Sequence, residues 1–433
     1  MITVQEHRKI DAADLPGLDP GRLRERINYD TSRFVTDKVN LIRYEFDPGE
    51  GRDGFYSYFR IGAEWLDREQ TQPVAVIPKI RGIDFIGMFT TCLQTAESAD
   101  GFDSVYSIDF DAPPIRSAAL SSVLSPLLVV QYLMVMKRIL NRGLRRDYTP
   151  RAGNLGKVKG RPDIMRNERQ NILTGHCERV FCRYNEFSAD TPENRLLKRA
   201  LRTSRDMVSL MRNHDSYATL SALCNHCLSH FDGVADSNSS TALPRVKNSK
   251  LYREYADAIR YAVMILRRQD LAVSRHDSAM AEYVPVFRLD MALLFEHYTL
   301  ALLRRSFGAE SVRYQAPGFG GRFYADFLIS KGSFRAIADA KYHDPETGNA
   351  VKPDYIKQLS AYARDRNLLA ALGYDRRSGD DALPIVPCVI LYPDYSGRAE
   401  KPGAANLLSR PARGVVKFGS FPVAVPMLQG ARQ

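Results

Sequence analysis

The chain has 433 residues, of which 26% are charged and 44% hydrophobic, and 61 Lys and Arg against 50 Asp and Glu leave a formal net charge of +11 and a pI near 9.3. That length supports two or three domains with cores of their own, in the composition range of a soluble globular protein. The positive balance favours a polyanionic partner, nucleic acid first, while six cysteines in so long a chain exclude a disulfide scaffold.

Glu6, His7, Arg8 and Lys9 interrupt any apolar signal segment at the N-terminus, and the most apolar run, Leu127 to Met136, is too short to span a bilayer. A cytoplasmic protein with no membrane partner is expected. Residues 1–115 read as a β-rich domain. Short runs (Ile2 to Val4, Phe34 to Thr36, Leu41 to Tyr44, Tyr56 to Ile61, Val74 to Ile77) are separated by Gly, Pro and Asp turns. Ile77-Pro78-Lys79-Ile80 then leads into a helical pattern from Phe85 to Ala96.

Residues 116–280 read as a mostly helical connecting region. Ser117 to Leu140 is helical with its apolar surface broken at Pro126, and between Lys137 and Arg169 eleven Lys or Arg face only Asp147, Asp163 and Glu168. Lys157, Lys159 and Arg161 lie within that run and are candidates to meet DNA or an acidic partner; a merely solvated charged face is the alternative. Thr191-Pro192 opens a long helix, Asp236 to Ser240 is a loop, and another helix spans Ser249 to Arg268. Cys224, His226, Cys227 and His230, with Cys177 and Cys182 upstream, have the spacing of half a zinc site, or are ordinary reduced cysteines on a helix.

Residues 281–433 carry the chemistry. Asp290 caps a helix through Arg305 that is apolar on nearly every side yet holds Glu296. Gly318 to Gly321 lacks a following G-K-[ST] and reads as a tight turn, and no Walker A motif appears anywhere, so any NTP must be hydrolysed by another chain. Phe323 to Ile329 and Phe334 to Tyr342 read as two strands of a hairpin turning at Lys331-Gly332. Alternation places Asp339 and Lys341 on one side, and pairing of the strands brings Asp326 to the same edge. Two acids and a lysine around one point suit Mg²⁺, which takes one or two carboxylates together with substrate phosphate oxygens and water; the lysine would orient or deprotonate the attacking water. A surface hairpin with a solvated salt bridge is the alternative. Pro353 opens a helix containing Gln358, Ile385 to Tyr392 is apolar enough for a central strand, and Val415 to Phe418 is expected as an edge strand.

The hairpin resembles the PD-(D/E)xK nuclease core, a mixed central sheet flanked by helices. Asp326 stands at the first acidic position, Ala325 replaces the proline, and Asp339-Ala340-Lys341 is the D-x-K. Glu296 and Gln358 stand where that superfamily often has a further acid and a Q-x-x-x-Y element. Further phrases occur in a shared order: Ile77 to Ile80, Gly143 to Tyr148, Gly156 to Ile164, Tyr184 to Phe187, Pro192 to Lys198 and then the acid and lysine set. Together they resemble the McrC family, the nuclease subunits of McrBC and LlaJI-type restriction systems. The resemblance implies a multidomain α+β protein whose N-terminal part docks on a McrB-like AAA+ GTPase ring and stimulates it, and whose C-terminal module cuts double-stranded DNA with Mg²⁺. It implies Asp326, Asp339 and the Ala340 carbonyl as metal ligands, Lys341 positioning the water, and Glu296 and Gln358 in support. A stand-alone DNA-processing nuclease and a non-catalytic DNA-binding adaptor are the other readings.

Overall fold

The computed structural model describes residues 2–10, 41–47, 52–66, 70–94, 104–211, 214–236, 253–274, 283–343, 351–375 and 384–428. The run Phe34 to Thr36 and residues 237–240 of the Ser/Asn loop lie outside these. The chain divides into two compact units, one made of residues 1–126 and 282–433 and the other of residues 127–281, so the second is an insertion in the first. The protein is a mixed α and β structure with several sheets.

The first unit contains two large sheets. One has five strands, β1 (Ile2–Gln5), β2 (Arg60–Trp65), β3 (Pro73–Ile77), β4 (Tyr106–Asp109) and β5 (Val286–Asp290), in the order β1-β3-β2-β5-β4. A strand of the C-terminal segment, β5, thus lies inside the N-terminal sheet, between β2 and β4. Gly62 allows this pairing: a Cβ there would stand 2.0 Å from the Phe287 carbonyl oxygen of β5. Beside it Glu64, buried within β2, is neutralised by Arg288 of β5 at 3.0 Å and accepts the Leu41 N–H at 2.8 Å. A buried carboxylate needs such partners. Helix α1 (Phe85–Gln94) packs against helix α2 (Met291–Phe307), which Asp290 caps by accepting the Leu293 N–H.

The second sheet has six strands, β6 (Val312–Pro317), β7 (Tyr324–Lys331), β8 (Phe334–Ala340), β9 (Cys388–Asp394), β10 (Arg410–Pro411) and β11 (Phe418–Ala424), in the order β6-β7-β8-β9-β11-β10. β6, β7 and β8 are antiparallel neighbours, whereas β8, β9 and β11 run parallel. Helices α3 (Pro353–Tyr362) and α4 (Arg366–Ala371) cover Leu328, Ile337 and Ile390 through Leu359, Tyr362, Leu368 and Leu369. The expected edge strand at 415–418 is displaced. Lys417 turns through a left-handed φ of 50°, and the strand that follows, β11, lies between β9 and the two-residue edge β10.

In the second unit the long helix starts at Pro192 as expected, with Thr191 Oγ1 accepting the Asn194 N–H, and runs to Ser209. It packs against helices Tyr217–Ser229 and Arg253–Ser274. Buried Asn194 ties the unit together: its amide donates to the Arg145 and Ala189 carbonyls, and its oxygen accepts from Tyr255 Oη at 3.0 Å. The helix Ala118–Arg142 runs on through Pro126. An interior proline costs about 3 kcal/mol, which burial of Leu127, Leu128, Val130, Leu133 and Met136 offsets. The basic stretch is not helical throughout. Asp147–Leu155 and Val180–Ser188 pair antiparallel over their whole length, with Arg161–Pro162 as a short third strand. Among the described residues no helix is long and apolar enough to cross a membrane.

Candidate metal-binding and catalytic site

The site grows out of the hairpin register. β7 and β8 pair from Lys331 opposite Phe334 as far as Phe327 opposite Ala338, and one step further brings Asp326 opposite Asp339. There the ladder stops. The Ala340 N–H, which would have faced β7, donates instead to Asp326 Oδ2 at 2.9 Å. Asp339 is 1% exposed, and Lys341 Nζ lies 2.6 Å from its Oδ2. The sequence reading of two acids and one lysine at a single edge therefore describes the geometry.

Electrostatics follow from crowding carboxylates in a poorly solvated place. Burial pushes the Asp326 carboxyl well up, and the neighbouring Asp339 and Glu296 charges push it further. Burial also raises Asp339, against the pull of Lys341 and a hydrogen bond with Asp326. For Lys341 burial acts downward, yet the Asp339 and Asp326 charges outweigh it and raise the ammonium above its usual range. So placed, the Lys341 ammonium stands beside both acids, where it can orient water and offset negative charge.

Glu296 enters from α2. Gln315 Nε2 donates to its Oε1 at 2.6 Å, Tyr314 also hydrogen-bonds it, and burial raises its carboxyl. Gln315 occupies the β6 position opposite Asp326, between the Tyr314 to Phe327 and Ala316 to Ala325 pairs, with a left-handed φ of 48°. Its strained backbone and its contact with the site coincide. Gln358 donates to Tyr362 Oη at 2.8 Å, joining the two ends of the Q-x-x-x-Y element to each other. One turn earlier on α3, Tyr355 lies beneath the Lys341 ammonium, 5.3 Å from ring centroid to Nζ. Sequence reasoning missed Tyr314, Gln315 and Tyr355, none of which has a local pattern to mark it. A cavity of about 770 Å³ opens along β6, lined by Arg304, Arg313, Gln315 and Asn367 among others.

No group of three or more His, Cys, Asp or Glu side chains close enough for one metal ion occurs among the described residues, so Glu296 does not close a three-acid ligand set. Two converging buried carboxylates with a backbone carbonyl between their strands nevertheless fit Mg²⁺, which draws its other ligands from water and substrate phosphate. Cys224 and Cys227 are buried, and that burial pushes both thiols up to about 12, the protonated state of inert core cysteines. Cys177 is exposed.

Lys157, Lys159 and Arg161 belong to the second unit; the two lysines lie in the exposed turn after Asp147–Leu155, and Arg161 opens the short strand Arg161–Pro162. Lys159 Nζ stands 4.3 Å over the Tyr184 ring and 3.8 Å from Glu186. Large apolar side chains are exposed in the same segment: Val158, Ile164, Met165, Ile172 and Leu173. The sequence reading noted the charges and not this apolar surface.

Residues 109–367, more than half of the chain, match the family model described as McrBC 5-methylcytosine restriction system component. The chain belongs to that family. Among solved structures, it is similar to a refined half-complex from a tetradecameric assembly of Thermococcus gammatolerans McrB AAA+ hexamers with bound McrC. That match has 16% identity and a TM-score of 0.41, covering 98% of this chain and 94% of that one. A cryo-EM structure of the Thermococcus gammatolerans McrBC complex matches at 15% identity and a TM-score of 0.29, covering 70% and 87%. No curated protein sequence matches the chain.

Proposed function

We propose that this McrBC-family chain is the DNA endonuclease subunit of a modification-dependent restriction system. It hydrolyses phosphodiesters of double-stranded DNA with Mg²⁺ in a PD-(D/E)xK-type C-terminal module and stimulates a McrB-like AAA+ GTPase ring. The observation that carries this reading is the register that sets Asp326 across from Asp339 with Lys341 Nζ 2.6 Å from the second acid. Asp326, Asp339 and the Ala340 carbonyl would hold the ion, which when bound neutralises phosphate charge as a Lewis acid. Lys341 orients the attacking water and offsets charge on the phosphate. Glu296 holds outer-lying water beside the acids, while Gln358 braces α3 through Tyr362. With no nucleotide-binding loop in the sequence, GTP hydrolysis falls to the partner.

Asp339→Ala and Lys341→Ala should abolish cleavage of modified DNA while leaving GTPase stimulation intact; loss of both activities together would refute the assignment. Val158 between Lys157 and Lys159, and Ile164, Met165, Ile172 and Leu173 further along the segment, are exposed apolar side chains that favour a protein partner there over bare phosphate. Charge reversal at Lys157, Lys159 and Arg161 should weaken binding to the GTPase, and unchanged partner binding and DNA cutting would remove this surface from the account.

A further inference from the structure

We infer that Glu6 is a positioning residue for the acid and lysine cluster, acting through Tyr342, so that the end of β1 belongs to the working parts of the C-terminal site. The inference rests on the nuclease reading above.

Glu6 follows β1, and its N–H donates to the Ile77 carbonyl at 3.0 Å, which fixes it beside the end of β3. Its side chain is 2% exposed. Oε1 accepts two hydrogen bonds, from Tyr342 Oη at 3.0 Å and from the Lys79 N–H at 3.2 Å, while Oε2 is buried with no hydrogen-bond partner. The Tyr342 ring is gripped from several sides. The Lys79 ammonium lies 4.6 Å over it, Phe59 meets it edge-on at 5.7 Å, and Phe295 lies 6.0 Å away. His7, left-handed at φ 55°, stacks on Phe59 at 4.2 Å and closes the group.

This cluster stands one residue away from two members of the candidate site. Tyr342 follows Lys341, and Phe295 precedes Glu296. Lys341 donates its N–H to the Leu391 carbonyl in β9 at 2.8 Å and accepts the His343 N–H at 2.9 Å, so its backbone is held on both sides of the peptide that leads into Tyr342. The direction in which the Lys341 side chain leaves that backbone depends on where the Tyr342 ring is seated. A buried phenol deprived of its acceptor turns toward another, because leaving a buried hydroxyl unsatisfied is costly. The Ile77 to Ile80 phrase, which marks no chemistry of its own, is thereby accounted for: Lys79 supplies its N–H to Glu6 and its ammonium to Tyr342.

The test uses the full-length chain with its GTPase partner, GTP, Mg²⁺ and modified DNA, measuring kcat and KM, with Mn²⁺ binding by calorimetry as a separate readout. Glu6→Met and Tyr342→Phe should each lower kcat about tenfold, with KM for DNA and Mn²⁺ affinity held within about twofold, since sub-ångström misplacement acts on the chemical step. The double variant should be no slower than either single one, because both remove the same bond. Glu6→Gln keeps Oε1 and should restore cleavage to within about twofold of the wild type. Unchanged kcat in both single variants, multiplying effects in the double, or loss of Mn²⁺ affinity in step with thermal stability would each overturn the positioning role. If Asp339→Ala cleaves like the wild type, the nuclease reading falls as well. If Asp339→Ala is inactive while Glu6→Met and Tyr342→Phe match the wild type, the positioning role alone falls.

Discussion

Glu6 also makes a thermodynamic prediction that needs no partner or substrate. Burial pushes its carboxyl from 4.5 up to about 7, against the pull of the Lys79 N–H and ammonium and of Tyr342. Between those two pH values the folded chain holds a proton that the unfolded chain has released. This contribution to stability is therefore fully present below pH 4.5 and is lost as pH rises to about 7. At 1.36 kcal/mol per pH unit the gap is worth about 3 kcal/mol. Glu6→Gln cannot ionise and keeps the acceptor, so its stability carries no such slope. Urea unfolding of both proteins at pH 4.5, 6 and 8 isolates the effect, because every other titrating group cancels in the difference. The advantage of Glu6→Gln over the wild type should grow by about 3 kcal/mol from the lowest to the highest pH. A difference that stays flat across the range would mean that Glu6 is ionised and solvated in the folded chain, and the packing argument around Tyr342 would fail with it.

Asp326→Asn and Asp339→Asn should lower DNA cleavage at least about 100-fold yet raise the melting temperature of the metal-free chain by a few degrees, roughly 2 °C per kcal/mol of relieved repulsion; calorimetry showing a lower melting temperature for Asp326→Asn would contradict the crowding described here. At Gln315, Ala keeps the left-handed strain while losing the bond to Glu296, whereas Gly relieves the strain. The Gly variant should be more stable by about 1 kcal/mol in thermal melts, and equal stability would remove the strain. In the second unit, buried Asp190 accepts from Arg195 at 2.6 Å and 2.8 Å, from Arg151 at 2.7 Å and from the Ala235 N–H at 2.9 Å. Asp190→Ala removes a buried acceptor shared by two partly exposed arginines, of which Arg151 keeps Glu186 at 3.6 Å, and should cost about 1–3 kcal/mol in urea unfolding; a loss below about 0.5 kcal/mol would class it with ordinary surface pairs.

The C-terminal hairpin was legible because its signals are local. Two alternating apolar strands meet at a glycine turn, and the side-chain period of two puts Asp339 and Lys341 together. Asp290 as a cap and Pro353 as a first helical residue were visible for the same reason. What the sequence hid is pairing over long separations and polar strands. Nothing near Val286–Asp290 says that it pairs with Arg60–Ala63. Asp147–Leu155 and Val180–Ser188 are half-exposed, and the first is mostly polar and holds Pro150 and Gly153, so no apolar run betrays the pair. β11 contains a glycine and Pro422, which read as breakers. Pro422 lies opposite Tyr392 and beyond the two residues, Gly419 and Ser420, that pair with β10, so its missing N–H interrupts no ladder. Gln358 was found and its neighbour in space was not: Tyr355 reaches Lys341 by helix geometry that only the fold reveals.

The place of β5 has a consequence for how the protein is made. Arg60 and Asp290, joined at 3.0 Å, are 230 residues apart in sequence. On the ribosome, β2 therefore emerges with one edge open and keeps it open while the whole second unit is synthesised. An apolar strand waiting in that state invites association with other chains. A fragment starting near residue 282 would carry the opposite defect, an orphan strand attached to the six-stranded sheet. Attempts to express the C-terminal half by itself should meet aggregation, and co-expression with residues 1–126 is the remedy the topology recommends.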